Sequence, residues 1–164
     1  ERIYIVQRAS DGLIATYYRQ TLFADYELQV HQLAEKGGAI TVEVLNGIME
    51  ELYKEYYGID IKLEGNKHSV WARIPHFFHS PFYVYQYATS YAASSKIFKD
   101  ISEAQGEEKE KKVSKFIELL KSGGNADPIE QLKKAGGDLE DKATVEAVSA
   151  KLANLVDILE KELK

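Results

Sequence analysis

Apolar residues recur along this chain at three- and four-residue intervals rather than alternately, and glycine pairs cut the pattern into segments. From about Arg2 to Glu35, Ile5, Ile14, Tyr17, Phe23, Tyr26 and Leu33 keep helical spacing until Gly37-Gly38, which predicts one long helix. Thr41 reads as the N-cap of a second helix, with Val44, Leu45, Ile48, Leu52 and Tyr56 as its stripe and Gly58 as its end. Between Gly58 and Pro75 the pattern weakens to Ile59, Ile61, Leu63, Val70 and Trp71 around Gly65-Asn66, which fits an irregular connection or a short hairpin. Ser80-Pro81 reads as an N-cap followed by proline in the first helical position, so a helix is expected from there to about Ala104, with Gly106 as a break. Glu107 to Lys121 forms another segment, its charged start a solvated face and Val113, Phe116, Leu119 and Leu120 its apolar side. Asp127-Pro128 opens a short helix to Ala135. Thr144 to Leu163 closes the chain, with Val145, Val148, Leu152, Leu155, Val156 and Leu159 as the expected buried stripe. No internal repeat or low-complexity linker interrupts this order, so the expectation is an all-α helical bundle, a single helical domain over 1–164.

Composition narrows the function classes. A chain of 164 residues, 45% apolar and 29% charged, has the make-up of a compact domain. Its net charge of -5, with the signs interspersed, leaves no basic footprint for nucleic acid. The absence of cysteine excludes disulfides, thiolate metal sites and a cysteine nucleophile, and is compatible with the cytoplasm. No apolar run approaches the ~20 residues that would cross a membrane, and no signal-peptide pattern opens the chain. Glu1 enters at once into what reads as the middle of a helix, an expectation that the sequence is part of a longer protein.

Candidate chemistry is concentrated between Arg73 and Thr89, where His76 and His79 precede Tyr83, Tyr85 and Tyr87. On a helix starting at Ser80, Tyr83, Tyr87 and Tyr91 would share one face and Tyr85 would point about 200° away. Phenols near a helix N-terminus, with His76 on the preceding loop, are suitable donors to a developing oxyanion. The ordinary alternative is a set of core tyrosines with their hydroxyls hydrogen-bonded. His76 and His79, three apart, lack the HExxH signature and a spaced third ligand, and His31 and His68 are isolated, so no metal site is expected within the chain. There is no glycine-rich phosphate loop and no serine or lysine nucleophile motif.

Longer strings carry a resemblance. Tyr18-Arg19-Gln20-Thr21-Leu22-Phe23-Ala24-Asp25-Tyr26-Glu27, the segment from Leu52-Tyr53 to Tyr56-Tyr57-Gly58, Trp71-Ala72-Arg73-Ile74-Pro75-His76-Phe77 and Phe82-Tyr83-Val84-Tyr85-Gln86-Tyr87-Ala88-Thr89 follow one another in the order of the C-terminal part of the oligoendopeptidase F family. Phe116 to Gly124 and Pro128 to Gly136 continue it, so the similarity covers essentially the whole chain. This family belongs with the thimet-oligopeptidase-like zinc metallopeptidases. The resemblance implies the C-terminal portion of a larger, mainly helical, cytoplasmic zinc endopeptidase that hydrolyses oligopeptides, with the HExxH helix, the third zinc ligand and the glutamate base all upstream. It implies that this chain binds no zinc and is inactive alone, and that its partners are the oligopeptide substrate and the upstream half of the same protein. Apolar surface left where upstream helices would pack implies self-association. By position His76 takes the family's histidine role, Tyr87 the oxyanion tyrosine and Tyr83 a substrate contact, with His79 the alternative to His76 and Tyr85 the alternative to Tyr83. A non-enzymatic helical module that binds peptides or a partner through the tyrosine-lined cleft is the competing reading.

Overall fold

The computed structural model describes residues 1–164. It contains eight α-helices and no strand: α1 (Arg2–Leu13), α2 (Arg19–Glu35), α3 (Val42–Tyr57), α4 (His76–His79), α5 (Tyr85–Glu103), α6 (Gly106–Ser122), α7 (Pro128–Ala135) and α8 (Lys142–Glu162). No helix is long and apolar enough to cross a membrane. The chain forms two compact units, one of Ala15–Ala88 and one of Glu1–Ile14 with Thr89–Lys164.

The unit of Ala15–Ala88 is built on α2 and α3. Leu22, Phe23 and Tyr26 of α2 and Met49 and Leu52 of α3 close on Val70 and Val84, with Phe77 and Trp71 packed against this core. Leu45, Ile48, Leu52 and Tyr56 of the expected α3 stripe join this core, with Met49 added and Val44 outside it, and Thr41 caps the helix by accepting a hydrogen bond from the Val44 N–H at 3.4 Å. The Gly58–Pro75 connection carries a 3-10 segment, Lys67–Arg73, kinked at Ser69, and no hairpin. It is anchored to α3 by Asn46, whose Oδ1 accepts from Trp71 Nε1–H at 2.8 Å and from the Ser69 hydroxyl at 3.0 Å. Side-chain bonding to one amide oxygen replaces the ladder that a hairpin would have supplied.

The single helix expected from Arg2 to Glu35 does run without a coil break, but Ile14–Tyr18 is a π-helical turn. Thr21 Oγ–H donates to the Tyr17 carbonyl at 2.8 Å where the ladder returns to α register. The end is as the glycine pair predicts: Gly37 takes φ +74 and the Gly38 N–H bonds the Leu33 carbonyl at 2.9 Å. The buried face of α1 differs from the expected one, because Val6, Ser10 and Leu13 are inside while Ile5 is 60% exposed.

In the other unit α1 packs on α8 and α6 on α7. Arg2 and Glu162 tie α1 to α8 by an exposed ion pair at 3.1 Å. Ala92, Ala93 and Ile97 of α5 are buried, and a Cβ on Gly137 would meet Ala93 Cβ at 3.1 Å and Ile97 at 3.2 Å, so the loop after α7 packs closely on α5 with little room for a side chain there. Helix α8 begins two residues before Thr144, at Lys142, because Asp141 accepts from the Ala143 N–H at 2.9 Å and serves as the N-cap. Thr144 is instead buried, its hydroxyl donating to the Asp138 carbonyl. That rotates the inner face onto Thr144, Ala147 and Val148, leaving Val145 and Val156 largely exposed rather than in the stripe. Gly106 opens α6 in a left-handed conformation, φ +55, instead of only breaking the chain.

Candidate functional site

The segment from Pro75 to Tyr87 folds differently from the helix expected to start at Ser80, and the difference makes the site. Pro75 begins the four-residue α4, and Ser80, with φ -145, ends it. Pro81 follows as a stop, and Phe82 takes φ +56, a left-handed conformation that no helix can include. Helix α5 therefore starts at Tyr85, after the Gln86 N–H bonds the Tyr83 carbonyl at 3.0 Å. Both prolines fit a helix start, and only the turn between them decides which one is used.

Tyr83 accordingly lies on the turn, and the face that it was expected to share with Tyr87 does not exist. The two rings still meet, with centroids 5.6 Å apart and planes at 77°. His76 completes the group. Its imidazole stacks on Tyr83 at 5.6 Å and 13°, and meets Tyr87 edge-on at 5.8 Å and 90°. Its Nε2 lies 3.3 Å from the Tyr87 hydroxyl, a hydrogen bond whose donor is set by the imidazole tautomer. Tyr83 and Tyr87 are 41% and 37% exposed, so the polar edges of this trio are open to a ligand. His79, at the end of α4, and Tyr85, at the start of α5, are both exposed. The ring contacts at 5.6–5.8 Å unite His76, Tyr83 and Tyr87.

What holds the turn was not anticipated from the residue pattern. Glu27 of α2, only 4% exposed, accepts the Phe82 N–H on Oε1 at 2.7 Å. The His31 ring, one helical turn further along α2, packs on the Phe82 ring at 4.5 Å. A buried carboxylate on a backbone N–H is a short, charge-assisted bond, strong enough to fix a backbone conformation that phenylalanine otherwise avoids. The available signal was the helical register: Leu22, Phe23, Tyr26 and Glu27 share one buried face, and an acid on an apolar stripe calls for a partner.

No group of three or more histidine, aspartate or glutamate side chains is arranged to hold a metal ion. The trio offers an imidazole, two phenol hydroxyls and ring faces. Such donors can hold a peptide backbone or receive charge developing on an oxygen.

Known proteins resemble this chain. Residues 1–150 match peptidase family M3. The oligopeptidase PepF of Bacillus subtilis is 35% identical over 99% of the chain, which covers 24% of that protein, and the oligoendopeptidase F homolog of Borreliella burgdorferi is 40% identical over 87%, covering 23% of its length. The crystal structure of oligoendopeptidase-F from Enterococcus faecium superposes with a TM-score of 0.86 at 32% identity, over 99% of this chain and 31% of that one. The chain thus spans about a quarter of the length of the curated relatives. With a matched profile over most of its residues and an all-helical fold shared with a solved oligoendopeptidase F, the chain belongs to peptidase family M3.

Proposed function

We propose that this chain is the C-terminal, channel-lining part of a zinc-dependent oligoendopeptidase, and that His76 and Tyr87 receive the oxyanion formed when a peptide carbonyl is attacked. The observation that carries this reading is the 3.3 Å approach of His76 Nε2 and the Tyr87 hydroxyl at an exposed edge. A contact of that length is weak, so little is lost when both groups turn from each other to one incoming oxygen. Attack converts a neutral carbonyl oxygen into one bearing nearly a full charge, and donors that meet it only then stabilise the transition state more than the substrate. The near-parallel stacking of Tyr83 holds the imidazole plane, and its exposed edge is the substrate contact.

The metal and the general base are assigned to polypeptide outside this chain, and alone the chain hydrolyses nothing. Membership of family M3 and the names of its relatives, oligopeptidase and oligoendopeptidase, support peptides as substrates. The direct test is Tyr87→Phe in the full peptidase. Removing one such donor is expected to lower kcat by about 10²- to 10³-fold with KM little changed. Unchanged kcat would remove Tyr87 from the reaction.

A further inference from the structure

Three cations gather on one groove of the Ala15–Ala88 unit with no acid to meet them. The groove, about 890 Å³, is lined by Arg19 of α2, by Tyr53 and Tyr57 of α3, and by Lys67 and Arg73 of the 3-10 turn, and no aspartate or glutamate borders it. Arg19, Lys67 and Arg73 make no ion pair, whereas Lys54, Lys96, Lys112, Lys133 and Lys142 are each matched to a nearby acid. On a chain of net charge -5, such an uncompensated cluster is a local inversion of the field. Tyr53 and Tyr57 stack at 5.5 Å and 25° beside it. Burial raises the pKa of the Tyr53 hydroxyl and Tyr57 adds to the rise, while the charges of Arg19 and Arg73 both oppose it.

One residue of the groove is joined to the proposed reacting edge by a short run of backbone. Arg73 precedes His76 by three residues, so their Cα atoms are at most about 11 Å apart, which an extended peptide covers in about three residues. Guanidinium forks match carboxylates in two-point geometry, and the tyrosine faces with Ile61, Leu63 and Val70 suit an amino-acid side chain better than a hydrated inorganic anion.

We infer that this groove is a subsite for a carboxylate of the bound peptide, held by Arg19 and Arg73 with Lys67 beside them, on the same substrate that His76 and Tyr87 act upon. The inference rests on the oligopeptidase reading. The carboxylate comes either from the peptide's own C-terminus or from an acidic side chain about three residues from the bond that is cut.

The experiment uses the full polypeptide that carries this chain, in the presence of a chelator so that no bond is broken, and fluorescence anisotropy of N-terminally labelled alanine-serine peptides. Three probes are compared: the free C-terminal acid, its amide, and an amide with one internal glutamate. One carboxylate-bearing probe is expected to bind about tenfold or more tighter than the neutral amide. In the Arg19→Gln/Arg73→Gln protein that preference collapses while affinity for the neutral amide is kept, which also shows that the variant is folded. Preference for the acid identifies the terminus, and preference for the glutamate amide the side chain. Equal binding of all three probes, or a preference that survives the double substitution, overturns the subsite. Cleavage of the neutral amide once metal is restored is scored separately, so that loss of the subsite and loss of the peptidase reading are read on different axes.

Discussion

Glu27 shows how one buried side chain can decide a local fold. Its carboxylate is enclosed on the inner face of α2, where an unpaired charge would be costly, and the Phe82 N–H meets it at 2.7 Å. Glu27→Ala leaves that N–H without its acceptor and the left-handed Phe82 without its tether, and is expected to destabilise the protein by about 1–3 kcal/mol. Glu27→Gln keeps an oxygen acceptor and should recover most of the loss. Urea unfolding of the two variants checks this, and equal effects of alanine and glutamine would show that the bond is not what matters. The residue scale is also where the sequence was most misleading. Pairing Tyr83 with Tyr87 rests in the sequence on a shared helix face, whereas the rings meet because a turn folds back, at 5.6 Å. Helical spacing can report which residues share a face only if the helix boundaries are correct, and here a left-handed phenylalanine, which no propensity marks, moved the boundary from Ser80 to Tyr85.

At the scale of elements, helices with a long apolar stripe or a clear cap were legible, and those set by tertiary contacts were not. Helix α3 and the short α7 follow from Thr41 and Asp127, whose side chains accept from the first backbone N–H groups. The 3-10 turn after Gly58 does not, because its position depends on Asn46 of α3 gathering Ser69 and Trp71. Asn46→Ala should cost about 1–2 kcal/mol by leaving the indole N–H to solvent or unsatisfied, and Trp71 is the only tryptophan, so a shift in its emission reports the change directly. Invariant emission would mean that the turn is held elsewhere. The same layer contains two phenols with altered titration. Burial raises the pKa of Tyr26 far above its ordinary value, and burial followed by the charge of Asp25 pushes Tyr56 up to about 12. Both are neutral in the fold where an unfolded chain would ionise near 10, so the folded state binds more protons and their contribution is present below about pH 10 and lost as pH rises toward 12. Absorbance at alkaline pH should therefore show late phenolates that appear together with unfolding, while a single transition near the ordinary tyrosine value would contradict their burial.

At the scale of the molecule, the proposed function gives this chain only part of a peptidase's tasks. The chain offers donors, aromatic faces and a cationic groove, while its histidines and acids form no metal-binding group. The isolated 164-residue chain, dialysed against trace zinc, is expected to retain well below one zinc and to leave oligopeptides uncut. Stoichiometric zinc would require ligands among His76, His79 and their neighbours that this structure does not bring together. Ile59, Phe98 and Leu120 are large apolar residues left 82%, 65% and 65% exposed. The all-helical architecture was legible from the three- and four-residue apolar spacing, and the family from the order of the long aromatic strings. The central claim is that His76 and Tyr87 are complementary to the transition state and not to the substrate. It is tested most directly by the affinity of a phosphinic peptide, a tetrahedral analogue, measured beside KM in the wild-type full peptidase and its Tyr87→Phe variant. The account predicts that the analogue loses about 10²-fold in affinity while KM moves by less than about threefold, whereas equal changes in both, or none, would contradict it.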